Sequence, residues 1–355
     1  MQPQAAFVVM AGGKGERLWP VVRTEMPKAC VSVDGKTTLL EITLKRLEPL
    51  ARAHDVLIVT TQEQAAPIRE RLPRAFRASL LAEPEPKNTA ACIALATGIL
   101  ATRDPRLLMV VLPADHWITP TVAFQRSLRA AIKVAEDSNQ MVMIGVRPTR
   151  VHPGLGHLCT GRARGRAHEC RVFRLTRFVE KPSTSVAQRL MRQRRTYWNA
   201  GIFVGRVATF QALIQRWLPR HARRLFPLAD VAGRPGFGRR ARAAYQAVQT
   251  VSFDAGVMAH VHDGDVVEGT FQWEDLGSWD SWMRIAHSPV RWSGGSTDPR
   301  LVVGPDGHLI ATVGLNDPIV VHTPDVTLVC HSHDAQAVRT VVARLSQHRQ
   351  LARYL

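Results

Sequence analysis

Three glycines, at 12, 13 and 15 of AGGKGERLWP (11–20), follow directly on the apolar run Ala5–Met10. Glycines let a backbone turn sharply so that successive N–H groups face one anion, and Lys14 and Arg17 add mobile positive charge there. Phosphate binding is the chemistry such a loop supports, although an ordinary strand–turn–helix connection fits it equally well. The spacing is neither G-x-G-x-x-G nor G-x-x-x-x-G-K-[ST], which disfavours a dinucleotide fold and a Walker ATPase. Lys28 follows in MPKAC, where Pro27 could fix a turn that aims the ammonium back at the loop. Asp115 stands just past a second apolar run, Leu107–Leu112, and ligands of open α/β sheets sit at the carboxyl ends of such strands.

The remaining candidates are individually plain. Lys181 beside Glu180 in VEKP fits a solvated ion pair, because lysines are mostly exposed. Asn88 and Thr89 open an apolar helix, and either is a natural N-cap. Asp115 also fits a loop or capping carboxylate, and Asp275 in WEDLGSW fits a turn-forming aspartate. His260 and His262 alternate as on a strand, as do His331 and His333, but neither pair has the further ligands a zinc site needs. No Ser/His/Asp triad or nucleophilic cysteine stands out.

Taken together the segments are more specific. GGKGERLWP with the following PK resembles the opening signature of the sugar-1-phosphate nucleotidyltransferases. EPEPKNTAACIALA (83–96), VLPADHWI (111–118), GVRPTRVHPGLGHL (145–158), FVEKP (178–182), WNAGIF (198–203) and WEDLGSW (273–279) then occur in the order seen in mannose-1-phosphate guanylyltransferases. DPIVVHTPDVTLVC (317–330) is similar to that family's C-terminal unit, so the resemblance spans nearly the whole chain.

The resemblance implies GTP plus mannose 1-phosphate giving GDP-mannose and diphosphate, by in-line attack on the α-phosphorus. Ala11, Gly12, Gly13, Lys14, Gly15 and Arg17 would then hold the nucleotide phosphates, with Glu83, Asn88 and Thr89 beside the base. Asp115 and Asp275 would hold Mg2+, which commonly takes one or two carboxylates with substrate phosphates and water. Lys28 and Lys181 would neutralise charge on the transferred group and the incoming phosphate, while Gly156, Glu180 and Asn199 face the sugar. Arg17, Lys28, Asp115, Lys181 and Asp275 form the expected catalytic set. Family members often pair, so a homodimer is a further expectation. The chain departs from the family at Glu16, where Ser or Thr is usual, at Leu155 and His157, where tyrosines are usual, and at Ala259, where Glu is common. These changes bear on substrate identity more than on reaction class.

Short apolar strands alternating with longer amphipathic segments position these residues, the signature of parallel α/β units. Strands are expected at Ala6–Met10, Asp55–Thr60, Leu107–Leu112, Met141–Val146, Arg171–Glu180 and Tyr197–Val204. Helices are expected at Thr38–Leu50, Gln62–Arg71, Thr89–Ala101 and Phe124–Val134, and near 184–195 and 207–217. The fold class is α/β: a Rossmann-like, mostly parallel sheet with flanking helices, plus a small β-rich, β-helix-like C-terminal unit ending in a helix. The expected division is a catalytic domain over 1–286, a Gly/Ser/Pro-rich linker over 287–299 and the C-terminal unit over 300–355. That unit is read as strands at 301–303, 308–313, 318–322 and 326–330 and a helix over 336–345. The residues after 285 are too few for the β-barrel isomerase domain of bifunctional relatives, so a single activity is expected.

Composition sets the outer bounds. The 355 residues carry 47 Lys+Arg against 29 Asp+Glu, a net charge of +18, yet only seven of the cations are lysines. Arginine clusters such as Arg192, Arg194 and Arg195 invite a nucleic-acid reading. They are dispersed, lack interleaved aromatics and match no recognisable nucleic-acid module, so no nucleic-acid partner is expected. No apolar run is long enough to cross a bilayer, and the N-terminus lacks the pattern of a leader, so no membrane association is expected. Five cysteines without a CxxC pair suit a reducing cytoplasm.

Overall fold

The computed structural model describes residues 5–33, 35–286, 302–303, 310, 315 and 317–355. Four apolar segments, Ala5–Met10 (β1), Val56–Thr61 (β2), Leu80–Glu83 (β3) and Leu108–Pro113 (β4), pair in parallel in the order β3-β2-β1-β4. Their Val, Ile, Leu and Met side chains fill cores on both faces of the sheet, as expected of parallel strands covered by helices. A short strand, Trp117–Thr119 (β5), stands outside this sheet. The sheet continues through Val142–Val146 (β6), His157–Ala167 (β7), Cys170–Val179 (β8), Thr196–Arg206 (β9) and Asp265–Gly269 (β10) in the order β4-β9-β6-β10-β8-β7. β9 runs against both of its neighbours β4 and β6, and β8 runs against β10 and β7. The remaining seven strands point one way.

The start of β7 also pairs with the start of β9, His157 opposite Trp198, so β9, β6, β10, β8 and β7 close into a ring. Closure brings the residues before β7, after β8 and at the start of β9 to the same place. Gln272–Glu274 (β11) pairs with β5 and carries the chain towards Asp275.

The helices begin where local chemistry dictates. Thr38 Oγ1 accepts from the Glu41 N–H at 3.2 Å while Glu41 Oε2 accepts from the Thr38 N–H at 2.8 Å, a reciprocal capping box that starts Leu39–Leu47. The expected helix over Gln62–Arg71 has those bounds, and the expected apolar helix spans Asn88–Ala101, buried on most of its surface. Three strands carry no clear sequence signal: β3 is only four residues long, β7 carries arginines where apolar residues would mark a strand, and β10 is a short run bounded by acidic residues. The expected strand bearing His260 and His262 is not formed. His260 ends a 3-10 turn, Met258–His260, and its ring stacks on Trp217 at 4.5 Å.

At the C-terminus, Val302–Val303 (β12), Pro318–His322 (β13) and Thr327–His331 (β14) form a small sheet followed by the helix Val338–Gln347. The expected linker over 287–299 and most of the expected strand over 308–313 lie outside the described residues. The β-rich unit ending in a helix is as expected. No described helix is long and apolar enough to cross a membrane.

Candidate functional site

The glycine loop leaves the carboxyl end of β1 and is fastened through its backbone. The Ala11 N–H donates to the Val59 carbonyl at 2.7 Å, Thr60 Oγ1 donates to the Ala11 carbonyl at 3.0 Å, and Gln64 Nε2 donates to the Gly13 carbonyl at 3.2 Å. Gly15 has φ +64°, and a Cβ there would lie 2.9 Å from Lys28 Cβ, so the loop needs glycine at this point to pass over the lysine stem. Arg17 lies in the single turn Glu16–Leu18 and makes no ion pair among the described residues. Glu16 is 3.9 Å from Lys14, both exposed, so the unusual carboxylate is offset by the lysine of its own loop.

Lys28 is only 8% exposed. Its Nζ lies 2.6 Å from Asp115 Oδ2 and donates to the Asp275 backbone carbonyl at 2.9 Å. One ammonium therefore joins two segments that are 160 residues apart in sequence. Burial pushes the Asp115 carboxyl up, but the positive charge and hydrogen bond of Lys28, with a backbone hydrogen bond, outweigh it and hold the group below the usual range. Thr43 Oγ1 donates to the Ala114 carbonyl at 2.9 Å and the buried Arg46 guanidinium donates to the His116 carbonyl at 3.2 Å, which fixes the backbone on both sides of Asp115. Burial drives His116 down to about 4. The Trp273 indole N–H donates to His116 Nδ1 at 3.0 Å, so the neutral ring carries its proton on Nε2.

Asp275 closes its own turn by accepting the Gly277 N–H on Oδ1 at 3.0 Å. A Cβ on Gly277 would lie 3.2 Å from Asp275 Oδ2, so glycine leaves that oxygen clear. Two carboxylates offering hard oxygen donors suit Mg2+ better than zinc, which favours nitrogen and sulfur. Among the described residues no cluster of three or more His, Cys, Asp or Glu could hold a metal by itself.

Glu83, at the end of β3, is buried and accepts the Tyr245 hydroxyl at 2.8 Å. Burial raises its carboxyl to about 8 against the opposing pull of that hydrogen bond. A Cβ on Gly12 would lie 3.8 Å from Glu83 Oε2, which places the carboxyl under the glycine loop. Neither Asn88 nor Thr89 caps its helix as expected. Asn88, at φ +65°, accepts the Thr89 N–H on Oδ1 at 2.8 Å, and Thr89 Oγ1 accepts the Phe253 N–H at 2.8 Å. Thr89 thereby ties this helix to the segment carrying Asp254.

Ring closure assembles the other half of the site. A Cβ on Gly156 would lie 3.1 Å from Glu180 Oε2 and 3.4 Å from Asn199 Cβ, so these three expected residues converge. Asn199 Nδ2 donates to Asp254 Oδ1 at 2.7 Å and its Oδ1 accepts the Gly201 N–H at 3.1 Å, which leaves one amide hydrogen for a ligand hydroxyl. Burial, then the Glu180 charge, raises Asp254 to about 6. Lys181, at φ +37°, is exposed and lies 3.5 Å from Glu180. The altered positions Leu155 and His157 are buried, with His157 Nδ1 3.0 Å from the Leu155 carbonyl.

Sequence reasoning alone does not reach His116, Trp273, Tyr245 and Asp254 as site residues. His116 and Trp273 lie inside the quoted VLPADHWI and WEDLGSW segments, and Asp254 lies in SFDAGVMA. Tyr245 has no local signal, because its role depends on a contact with a residue 162 positions away.

Residues 6–289 match the family model described as nucleotidyl transferase, and residues 297–345 match that of the MannoseP isomerase/GMP-like beta-helix domain. The chain belongs to the nucleotidyl transferase family, and it is a nucleotidyltransferase enzyme. It is 31% identical to the xanthan biosynthesis protein XanB of Xanthomonas campestris pv. campestris over 95% of this chain and 72% of that protein. It is 32% identical to the mannose-1-phosphate guanylyltransferase ManC of Salmonella typhimurium, again over 95% and 72%. A crystal structure from Thermus thermophilus, described as a mannose-1-phosphate geranyltransferase, superposes with TM-score 0.82 at 31% identity over 97% of this chain and 99% of that one.

Proposed function

We propose that the chain converts GTP and α-D-mannose 1-phosphate to GDP-mannose and diphosphate. A phosphate oxygen of the sugar attacks the α-phosphorus in line, a new P–O bond forms, and the bond to the β-phosphate oxygen breaks. The observation that carries this reading is Lys28, which joins the Asp115 and Asp275 segments beside the glycine loop. The names of the similar proteins supply the choice of sugar and nucleotide.

Each group has a task. The loop N–H groups and Arg17 bind the β- and γ-phosphates, and Lys28 offsets charge developing at the transferred group. Catalysis of this kind is positioning plus electrostatic stabilisation. Asp115 and Asp275 would hold Mg2+, which when bound supplies further charge neutralisation at the phosphates. Lys181 receives the sugar phosphate, and Glu180 and Asn199 orient the hydroxyls, Asn199 being held by Asp254. Glu83, Asn88 and Thr89 lie on the base side. No side chain needs to form a covalent intermediate. We also propose the division 1–286, 287–299 and 300–355, a cytoplasmic location and a homodimer.

Diphosphate release across a panel of nucleoside triphosphates and sugar 1-phosphates tests the assignment. GTP with mannose 1-phosphate should be the best pair, and failure of that pair alone would move the enzyme to another hexose or heptose phosphate or another nucleotide. A catalytically silent binding or regulatory role is the second reading, motivated by Glu16 and Ala259. It requires that the wild type release no diphosphate with any pair.

A further inference from the structure

We infer that the C-terminal segment 317–355 sets the position of the triphosphate loop and of Asp275, acting through Trp19 as a positioning residue. The inference rests on the proposed nucleotidyl transfer.

Leu18 and Trp19 follow Arg17 directly, and both are buried. The Trp19 indole N–H donates to the Tyr354 carbonyl at 2.7 Å, and the Trp19 carbonyl accepts the Trp279 indole N–H at 2.9 Å. Trp279 stands four residues after Asp275 and is buried. One residue thus links the Arg17 turn, the Asp275 turn and the end of the C-terminal segment. Ile319, Val321, Leu328 and Val338 belong to the same apolar cluster as Leu18, Trp19 and Trp279. This third core is separate from the two that flank the main sheet, and it draws on both parts of the chain.

Two polar ties brace the same junction. The Arg23 guanidinium donates to both carboxylate oxygens of Asp325 at 2.7 Å each, and its Nε donates to the Pro20 carbonyl at 2.8 Å. Such a bidentate fork fixes orientation as well as distance. Gln336 Nε2 donates to Ser278 Oγ at 2.9 Å, three residues beyond Asp275. The turn bearing Arg17 is only three residues long and Leu276 sits at φ +47°, so neither turn is held by regular secondary structure of its own. A phosphate-binding turn ordered in advance spares the ligand the entropic cost of ordering it.

Trp19→Phe keeps the buried ring and removes the indole N–H, whereas Asp325→Ala breaks the exposed tie without entering the core. Hydrogen exchange and steady-state kinetics of the full chain test both variants. Exchange over 11–22 and 275–279 should rise about threefold or more while that of the 157–179 hairpin stays unchanged. KM for GTP should rise by about the same factor, with KM for mannose 1-phosphate within about twofold of wild type. Unchanged exchange and an unchanged KM for GTP in both variants would overturn the inference, and so would equal rises for both substrates. If the wild type released no diphosphate at all, the proposed reaction would fail, and the exchange pattern would still decide the bracing role.

Discussion

Lys28 and Lys181 bring the same charge to the two ends of the proposed site, in opposite settings. Lys28 is buried, 2.6 Å from Asp115, and bound to the backbone of the Asp275 turn. Lys181 has 64% of its side chain exposed, with Glu180 3.5 Å away. The proposed nucleotide end is therefore already assembled, its cation paired with a carboxylate and its loop carbonyls bound. The proposed sugar end keeps its cation in water, beside Glu180. Substitutions at the first end should disturb chemistry and stability together, and those at the second should weaken binding with no loss of stability.

The largest effect is expected from Asp275→Asn and Lys28→Ala, each lowering kcat for diphosphate release by about a thousandfold, the scale of losing one preorganised electrostatic group. Lys28→Ala should also cost about 2 kcal/mol in urea unfolding, less than a fully buried pair would, because a fifth of the Asp115 side chain is exposed. If Lys28→Ala left stability untouched, the contrast between the two lysines would collapse. Lys181→Ala should raise KM for mannose 1-phosphate about tenfold to a hundredfold, the worth of a charge-assisted hydrogen bond, with unfolding free energy within about 0.5 kcal/mol of wild type. Lys181→Gly should lose the same binding yet gain about 1 kcal/mol of stability, because φ +37° is costly for any residue with a Cβ.

A further prediction concerns protons. The folded Glu83 carboxyl is raised from 4.5 to about 8, so between those values the folded chain holds a proton that the unfolded chain has lost. Stability from this group therefore falls as pH rises from about 4.5 to about 8. Glu83→Gln, which still accepts from Tyr245, should flatten that part of the Tm–pH curve. An equal slope in the variant would show that Glu83 is ionised in the folded protein.

Much of the nucleotide end was legible in the sequence. Glycines, apolar runs and a proline turn are local signals, and they placed Gly12, Gly13, Gly15 and Asp115 just beyond strand ends and Lys28 in a turn facing the loop, where the structure has them. The sugar end was legible only through resemblance. Gly156, Glu180 and Asn199 meet because β7 returns to β9, a pairing that no local pattern encodes and that an arginine-rich strand conceals. The capping expectation at Asn88 and Thr89 failed for a related reason: a tertiary acceptor role at Phe253 outcompeted the local one. Likewise His116 looks like any histidine beside an aspartate until Trp273, 157 positions away, fixes its tautomer.

β9 enters the sheet at the end where β1 and β4 leave it, so Asn199 reaches the site from the beginning of a strand. The excursion from Val146 to Thr196 therefore departs from the site and comes back to it, carrying Gly156, Glu180 and Lys181 as one insert. None of its strands is hydrogen-bonded to β3, β2, β1 or β4, although Leu158, Phe173 and Leu175 share a core with them. Under the proposed function, changes confined to this excursion would alter which sugar is accepted while the glycine loop and Lys28 kept the triphosphate.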